Sequence, residues 1–94
     1  MNETQLKNQV QKAQRAEELF NDPLIQEFIV AVRGDLLNKF ESTELADEES
    51  RKAAWHQSQV LKQFIGKFEK TIKEGKRAKL TLMEKAKKHM RNVI

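Results

Sequence analysis

The chain has 94 residues, of which 38% are hydrophobic and 34% are charged, with three glycines, one proline and no cysteine. This length allows one modest hydrophobic core, so we expect a single helical domain over residues 1–94. The absence of cysteine excludes disulfides, thiolate catalysis and zinc sites built on thiolates. High charge with little glycine and proline favours long helices, and the sequence therefore predicts an all-α fold.

The beginning of the chain, Met1–Leu6, is polar, and no apolar run in the sequence is long enough to span a membrane, which takes roughly 18 residues. We therefore expect neither a signal peptide nor a transmembrane helix, and no membrane partner.

The first predicted helix covers residues 3–20. Leu6, Val10 and Ala13 follow one another along one helical face, at spacings of four and three residues. So thin an apolar stripe stabilises an isolated helix little, because most helical stability in proteins comes from tertiary packing. We therefore expect these three residues to contribute to self-association with a second copy of the chain.

A second helix is predicted to begin at Pro23. Asp22 can accept a hydrogen bond from a first-turn N–H, and proline suits the first helical position, where no N–H donor is needed. A broad apolar face follows, formed by Leu24, Ile25, Phe28, Ile29, Val32, Leu36, Leu37 and Phe40. Gly34 costs about 1 kcal/mol relative to Ala inside this helix, so we expect another helix to pass close to it.

A third helix is predicted after residues 42–46, which break the apolar periodicity, with Asp47 as its N-terminal cap. Its apolar seam is close to a heptad repeat and comprises Ala54, Trp55, Ser58, Leu61, Ile65, Phe68 and Ile72. Val60 and Phe64 widen this seam on one side. Gly75 is expected to end the helix as a left-handed C-terminal cap.

The short polar loop between the second and third helices predicts that they form an antiparallel helical hairpin over residues 23–74. Phe28 and Leu61 are predicted to lie in the core of this hairpin. The N-terminal helix and the chain after Gly75 would then be additions to the hairpin core.

Charge divides the chain into an acidic body and a basic end. Residues 1–61 hold seven Lys or Arg and eleven Asp or Glu, whereas residues 62–94 hold eleven basic and three acidic residues. Leu82, Ala86 and Met90 continue a helical stripe after Gly75, which predicts a fourth, basic amphipathic helix over residues 76–94. Such asymmetry indicates an electrostatic partner. The predicted partner-binding residues of this helix are Lys76, Arg77, Lys79, Lys85, Lys87, Lys88 and Arg91.

Trp55, the one tryptophan, follows Arg51 by one helical turn. Two interpretations are open. Trp55 is either a buried anchor packed against Phe28, Val32 or Phe40, or an interface residue, because Trp and Arg are enriched at binding hot spots. We include Trp55 among the predicted partner-binding residues.

No residue pattern indicates catalysis, a cofactor or a metal. His56 and His89 lie on different predicted helices, without the further ligands that a tetrahedral zinc site needs. The three glycines stand far apart and form no phosphate-binding loop, and no serine has the context of a nucleophile elbow. We therefore predict that the protein is not an enzyme and has no catalytic, cofactor-binding or metal-binding residues.

Four roles are conceivable for the basic end: a solvated helix face, phosphate contacts with nucleic acid, docking on an acidic protein surface, or contact with a membrane surface. The last is the least favoured, because Leu82, Met83 and Met90 form a weak apolar face that no Trp or Phe anchors, so we expect no membrane partner. No aromatic residue lies between Glu69 and Ile94, so base stacking is unsupported. Nucleic-acid binding would then be sequence-tolerant and sensitive to salt. The acidic protein surface could belong to a second copy of this chain.

A set of residues between positions 16 and 78 carries a resemblance to a known group of proteins. The set consists of residues 16–23 (AEELFNDP), Phe28, Phe40, Thr43, Asp47, Arg51, Trp55 and residues 75–78 (GKRA). In these positions the chain resembles small uncharacterised helical proteins of tailed bacteriophages and prophages. The resemblance implies a phage setting, among proteins of virion assembly, and a place in the host cytoplasm or the virion. It implies no reaction and no residue of assigned role.

These observations lead to one hypothesis and two alternatives. The leading hypothesis is a non-enzymatic phage assembly or virion-associated structural protein, a homo-oligomer that docks its basic C-terminal helix on an acidic protein surface. The first alternative is a sequence-tolerant DNA-binding accessory protein. The second is a phage inhibitor of a host protein.

Overall fold

The computed structural model describes residues 1–93, with side chains up to Arg91, and it is helical. Its three helices are α1 (Glu3–Phe20), α2 (Pro23–Glu41) and α3 (Glu48–Val93). No strand occurs within the described residues. The predicted all-α fold is confirmed.

Helix α1 begins with a reciprocal cap. The Oδ1 atom of Asn2 accepts a hydrogen bond of 2.8 Å from the backbone N–H of Gln5, and the backbone N–H of Asn2 donates to Oε1 of Gln5 at 3.1 Å. Two backbone donors at the helix start, which lack partners within the helix, are thereby satisfied.

Helices α2 and α3 begin where their capping residues predict. The Oδ1 atom of Asp22 accepts a hydrogen bond from the backbone N–H of Leu24 at 2.8 Å, and Pro23 occupies the first helical position. The Oδ1 atom of Asp47 accepts from the backbone N–H of Ser50 at 3.1 Å. These bonds fix the two helix starts because they satisfy first-turn donors.

The connection from α2 to α3 is held by side chains at both of its ends. The Oγ1 atom of Thr43 donates a hydrogen bond to the carbonyl oxygen of Phe40 at 2.7 Å and accepts one from Nε of Arg51 at 3.2 Å. The guanidinium carbon of Arg51 also lies 5.5 Å from the centre of the Phe40 ring, a cation–π distance. Arg51 therefore ties the first turn of α3 to the end of α2.

The expected helix end at Gly75 is wrong, because α3 continues through this residue to Val93. None of the three glycines has a positive φ, so Gly75 is not a left-handed cap. A Cβ atom on Gly75 would overlap the Cβ of Ala13 and lie 3.2 Å from the carbonyl oxygen of Gln9. Gly75 is thus a point of close approach between α1 and α3, which the missing side chain makes possible. The basic residues after it belong to α3 and form no separate helix.

The close approach expected at Gly34 is also wrong. A Cβ atom built on Gly34 would meet nothing within 4 Å, and the same holds for Gly66. Both residues are helical positions that face open space, where glycine only weakens the helix.

The chain forms two compact units. The first consists of Met1–Leu19 and the chain from Phe68 onward, and its buried residues are Leu6, Ala13, Gly75 and Ala78. Leu6 and Ala13 are buried within the chain and so are not available to a second copy, whereas Val10 is half-buried. Self-association itself stays a prediction. The thin stripe of α1 is sufficient because small residues on α3 let the two helices pack closely.

The second unit, Phe20–Lys67, holds α2 and the first part of α3. Its buried apolar residues are Ile29, Leu36, Ala54 and Ile65. Each helix thus contributes two of the four. The proposal of a single domain over residues 1–94 stays a prediction.

Candidate interaction surfaces

The second unit exposes ten large apolar residues. They are Leu24, Phe28, Val30, Val32, Leu37, Phe40, Leu45, Trp55, Val60 and Phe64. A helix with apolar residues on most of its sides is typically covered by several neighbours, whereas α2 has one such neighbour in this unit. Large exposed apolar patches on soluble proteins mark interaction sites.

Two open grooves lie between α2 and the first part of α3. Both include Leu36 and Leu61, so both border the same line of helix contact. The first, which we call the Trp55 groove, also includes Leu37, Phe40 and Trp55. The second, the Val60 groove, also includes Val32, Val60 and Phe64.

The two grooves differ in their charged residues. The Val60 groove includes Asp35 and Lys39, which lie one helical turn apart on α2 and carry opposite charges. The Trp55 groove includes Arg33 and Lys62, both of which are basic. The Val60 groove is therefore balanced in charge, and the Trp55 groove is suited to an acidic partner.

The structure excludes one of the two interpretations of Trp55. The residue is 55% exposed, so the buried-anchor interpretation is wrong. The Trp55 ring lies edge-on to the neighbouring His56 ring, with centroids 5.1 Å apart and an angle of 72° between the planes. Arg51 contacts Phe40 instead of stacking on Trp55. Trp55 as a partner-binding residue stays a prediction, and its exposure is compatible with that role.

Phe28 is likewise 55% exposed, so its assignment to the core is wrong, whereas Leu61 is half-buried between the two grooves. The physical reason is that one neighbouring helix covers only part of the circumference of α2. Ile29 and Leu36 occupy the side of α2 that is buried, and Phe28 lies about 100° around the helix from Ile29.

The seven basic residues predicted to bind a partner are all exposed. They are Lys76, Arg77, Lys79, Lys85, Lys87, Lys88 and Arg91, and we call residues 76–91 the basic segment. Ala78 lies in the same segment and is buried, 2% exposed. The packed side of this part of α3 is therefore small and apolar, and the charged side chains lie outside it. Among the described side chains the one ion pair joins Arg15 to Glu18, so the basic segment has no ion pairs there.

The pKa of the Asp47 carboxyl is lowered from its usual 3.8, first by a side-chain hydrogen bond from Ser50 and then by the backbone N–H of Ser50. The lowered pKa is a consequence of the helix cap, because hydrogen bonds donated to the carboxylate stabilise its charged form.

In the described part of the chain, no group of three or more His, Cys, Asp or Glu side chains is placed to hold a metal ion. Nor is any helix within the described residues long and apolar enough to cross a membrane.

No family model, curated protein or solved structure matches this chain.

The two grooves are the features that sequence reasoning missed. The periodicity argument placed eight apolar residues of α2 on one broad face and assigned Phe28 of that face to the core. The available signal was the width of that face: Leu24 and Leu37 lie far around the helix from the buried Leu36. One adjoining helix cannot cover so wide an arc.

Proposed function

We propose that this chain is a non-enzymatic structural or interaction protein that works as a homo-oligomer in the assembly or the virion of a tailed phage. In this proposal α2 and the first part of α3 form an antiparallel hairpin that supplies the surface for association. The basic segment docks on an acidic protein surface. The phage setting, and with it the host cytoplasm or virion as the location, rests on the resemblance in residues 16–78.

One observation carries the proposal: large apolar side chains are exposed along both grooves of the second unit. Exposing such residues to water costs free energy, and covering them returns about 25 cal/mol for each Å² of apolar surface removed from water. A chain that keeps Trp55, Phe64 and Val60 at its surface is therefore expected to bind another protein surface.

The basic segment supports a second, electrostatic contact. Like charges such as Lys76 with Lys79 and Lys87 with Arg91 lie one helical turn apart, and each such pair repels by a few tenths of a kcal/mol. An acidic partner would relieve this repulsion. The same charges would also attract the phosphates of DNA, which is the leading alternative, so the test must distinguish the two partners.

The test begins with affinity capture on the full chain from phage-infected host cells. We compare the wild type with a variant in which Lys85, Lys87, Lys88 and Arg91 are all changed to Gln. The matched control changes Lys7, Lys12, Lys52 and Lys67 to Gln, which removes the same charge from exposed positions elsewhere. Deleting the segment is unsuitable, because it would remove Ala78, which is buried in the first unit.

We expect the basic-segment variant to lose the captured protein and the control variant to keep it. With the purified partner, wild-type affinity should fall as salt rises, and the variant should respond less steeply. A DNA-binding accessory role predicts instead that duplex DNA of any sequence competes, with an affinity that falls steeply with salt. Equal capture by wild type and basic-segment variant would refute docking through this segment.

A further inference from the structure

We infer that a second copy of this chain covers the Val60 groove, through a two-fold symmetric contact that places Asp35 of each copy opposite Lys39 of the other. The inference rests on the proposed homo-oligomer and names its surface. The Trp55 groove stays outside this contact.

The charge pattern of the Val60 groove is self-complementary. In a two-fold contact the same patch faces itself, so a residue on one copy meets a different residue of that patch on the other. Asp35 and Lys39 lie four residues apart on α2, both exposed and without an ion pair in the described structure. A two-fold axis that crosses α2 between them makes two opposite-charge pairs at once. The apolar Val32 and Val60 beside them are then removed from water.

The Trp55 groove lacks this self-complementary charge pattern. Its charged residues, Arg33 and Lys62, are both basic, so a symmetric contact there would bring like charges together. Like charges facing each other across an interface oppose association. The Val60 groove is also the larger, at about 650 Å³ against about 330 Å³, and so offers more room for a partner's side chains.

The first test compares apolar residues in the two grooves. Val60 is 65% exposed and Leu37 56% exposed, so we expect the folded chain to tolerate an Asp at either position. By light scattering at high micromolar concentration, the wild type should have twice the 11.0 kDa mass of one chain. We expect Val60→Asp to reduce the mass to that of one chain and Leu37→Asp to leave it doubled. Circular dichroism checks that both variants remain helical.

The second test uses charge exchange at low ionic strength, where surface charges are least screened. Asp35→Lys alone places Lys opposite Lys, and Lys39→Asp alone places Asp opposite Asp. Each should weaken dimerisation by about tenfold or more, since two exposed pairs change from attraction to repulsion. A one-to-one mixture of the two variants should regain wild-type association, because every pair in the mixed dimer is again Lys with Asp.

Three results would overturn the inference. The first is a wild-type mass of 11.0 kDa in the same experiment, the second is an unchanged mass for Val60→Asp, and the third is no recovery in the mixture. Dissociation by Leu37→Asp alone would move the contact to the Trp55 groove. Because these readouts need no other protein, they can fail while capture through the basic segment succeeds, and the reverse also holds.

Discussion

The close contact between α1 and α3 at Gly75 leads to the sharpest prediction about stability. The change is Gly75→Ala, and the matched controls are Gly66→Ala and Gly34→Ala. All three glycines lie inside helices. A new Cβ meets nothing within 4 Å at Gly34 or Gly66, whereas at Gly75 it meets the Cβ of Ala13 and the backbone carbonyl of Gln9.

The expected magnitude follows from two opposing terms. Replacing a helical Gly by Ala stabilises the helix by up to about 1 kcal/mol, and the two controls should show this gain. At Gly75 the same gain is opposed by overpacking, which typically costs about 1–3 kcal/mol. The obstacle includes the backbone of α1 at Gln9, so rotating a side chain cannot relieve it. Gly75→Ala should therefore be less stable than Gly66→Ala by about 1–3 kcal/mol.

Thermal or urea unfolding followed by circular dichroism measures this difference. For a chain of this size 1 kcal/mol shifts Tm by roughly 4–8 °C, which is easily resolved. All variants are compared at one protein concentration, because association stabilises the folded state. The double change Ala13→Gly with Gly75→Ala should recover part of the loss, since it returns space at the contact.

The reasoning would be refuted if Gly75→Ala were as stable as Gly66→Ala. That result would mean that α1 does not approach α3 at Gly75. If all three substitutions lowered the free energy of unfolding equally, the result would show instead that replacing Gly34 or Gly66 by Ala does not stabilise the helix.

The remaining predictions concern the core and the helix starts. Changing the buried Leu36 to Ala should cost about 2–5 kcal/mol in urea unfolding, and changing the exposed Phe28 to Ala should cost less; equal costs would place Phe28 in the core after all. Asp22→Ala should lower stability by about 1 kcal/mol through loss of the α2 cap, and an unchanged unfolding midpoint would contradict this. An NMR titration should place the pKa of Asp47 below 3.8, so its cap stabilises α3 above that pH and is lost as pH falls through the lower, folded-state pKa. Changing Ser50 to Ala should raise this midpoint, whereas a wild-type midpoint at or above 3.8 would count against the hydrogen bonds.

The helix starts could be predicted from the sequence because capping is local chemistry. Asp22 and Asp47 each accept a first-turn N–H within three residues, so their neighbours in sequence suffice to identify them. Pro23 strengthens the prediction of where α2 begins, because proline is tolerated in the first turn of a helix and disfavoured in its interior. The all-α fold followed from the same local evidence, together with the apolar periodicity.

Gly75 shows where local chemistry fails. Glycine is favoured both at a left-handed helix end and at a close helix contact, and the sequence around Gly75 does not distinguish the two. The deciding partner is Ala13, which lies 62 positions earlier in the sequence. Lys76 and Arg77 then follow in the same helix, so the change of composition after Gly75 marked a new surface and not a new helix.

Trp55 and Phe28 show a different limit. Periodicity identifies the side of a helix that carries apolar residues, but burial depends on how many neighbours cover that side. A rule based on hydrophobicity assigns both residues to the core, whereas each is 55% exposed in the chain. The error is informative, since a residue that composition places inside and structure places outside is a candidate for contact with another protein.

The two units pack their helices in different ways. In the first, three of the four buried residues are small, namely Ala13, Gly75 and Ala78, and they let two helices pack closely with few large apolar residues. In the second, three of the four buried residues are large, namely Ile29, Leu36 and Ile65, and further large side chains stay exposed along both grooves. Large residues between two helices hold their axes apart, which leaves open grooves beside the contact. We therefore expect residues 20–67 to associate with another protein surface, whereas α1 already packs against α3 within the chain.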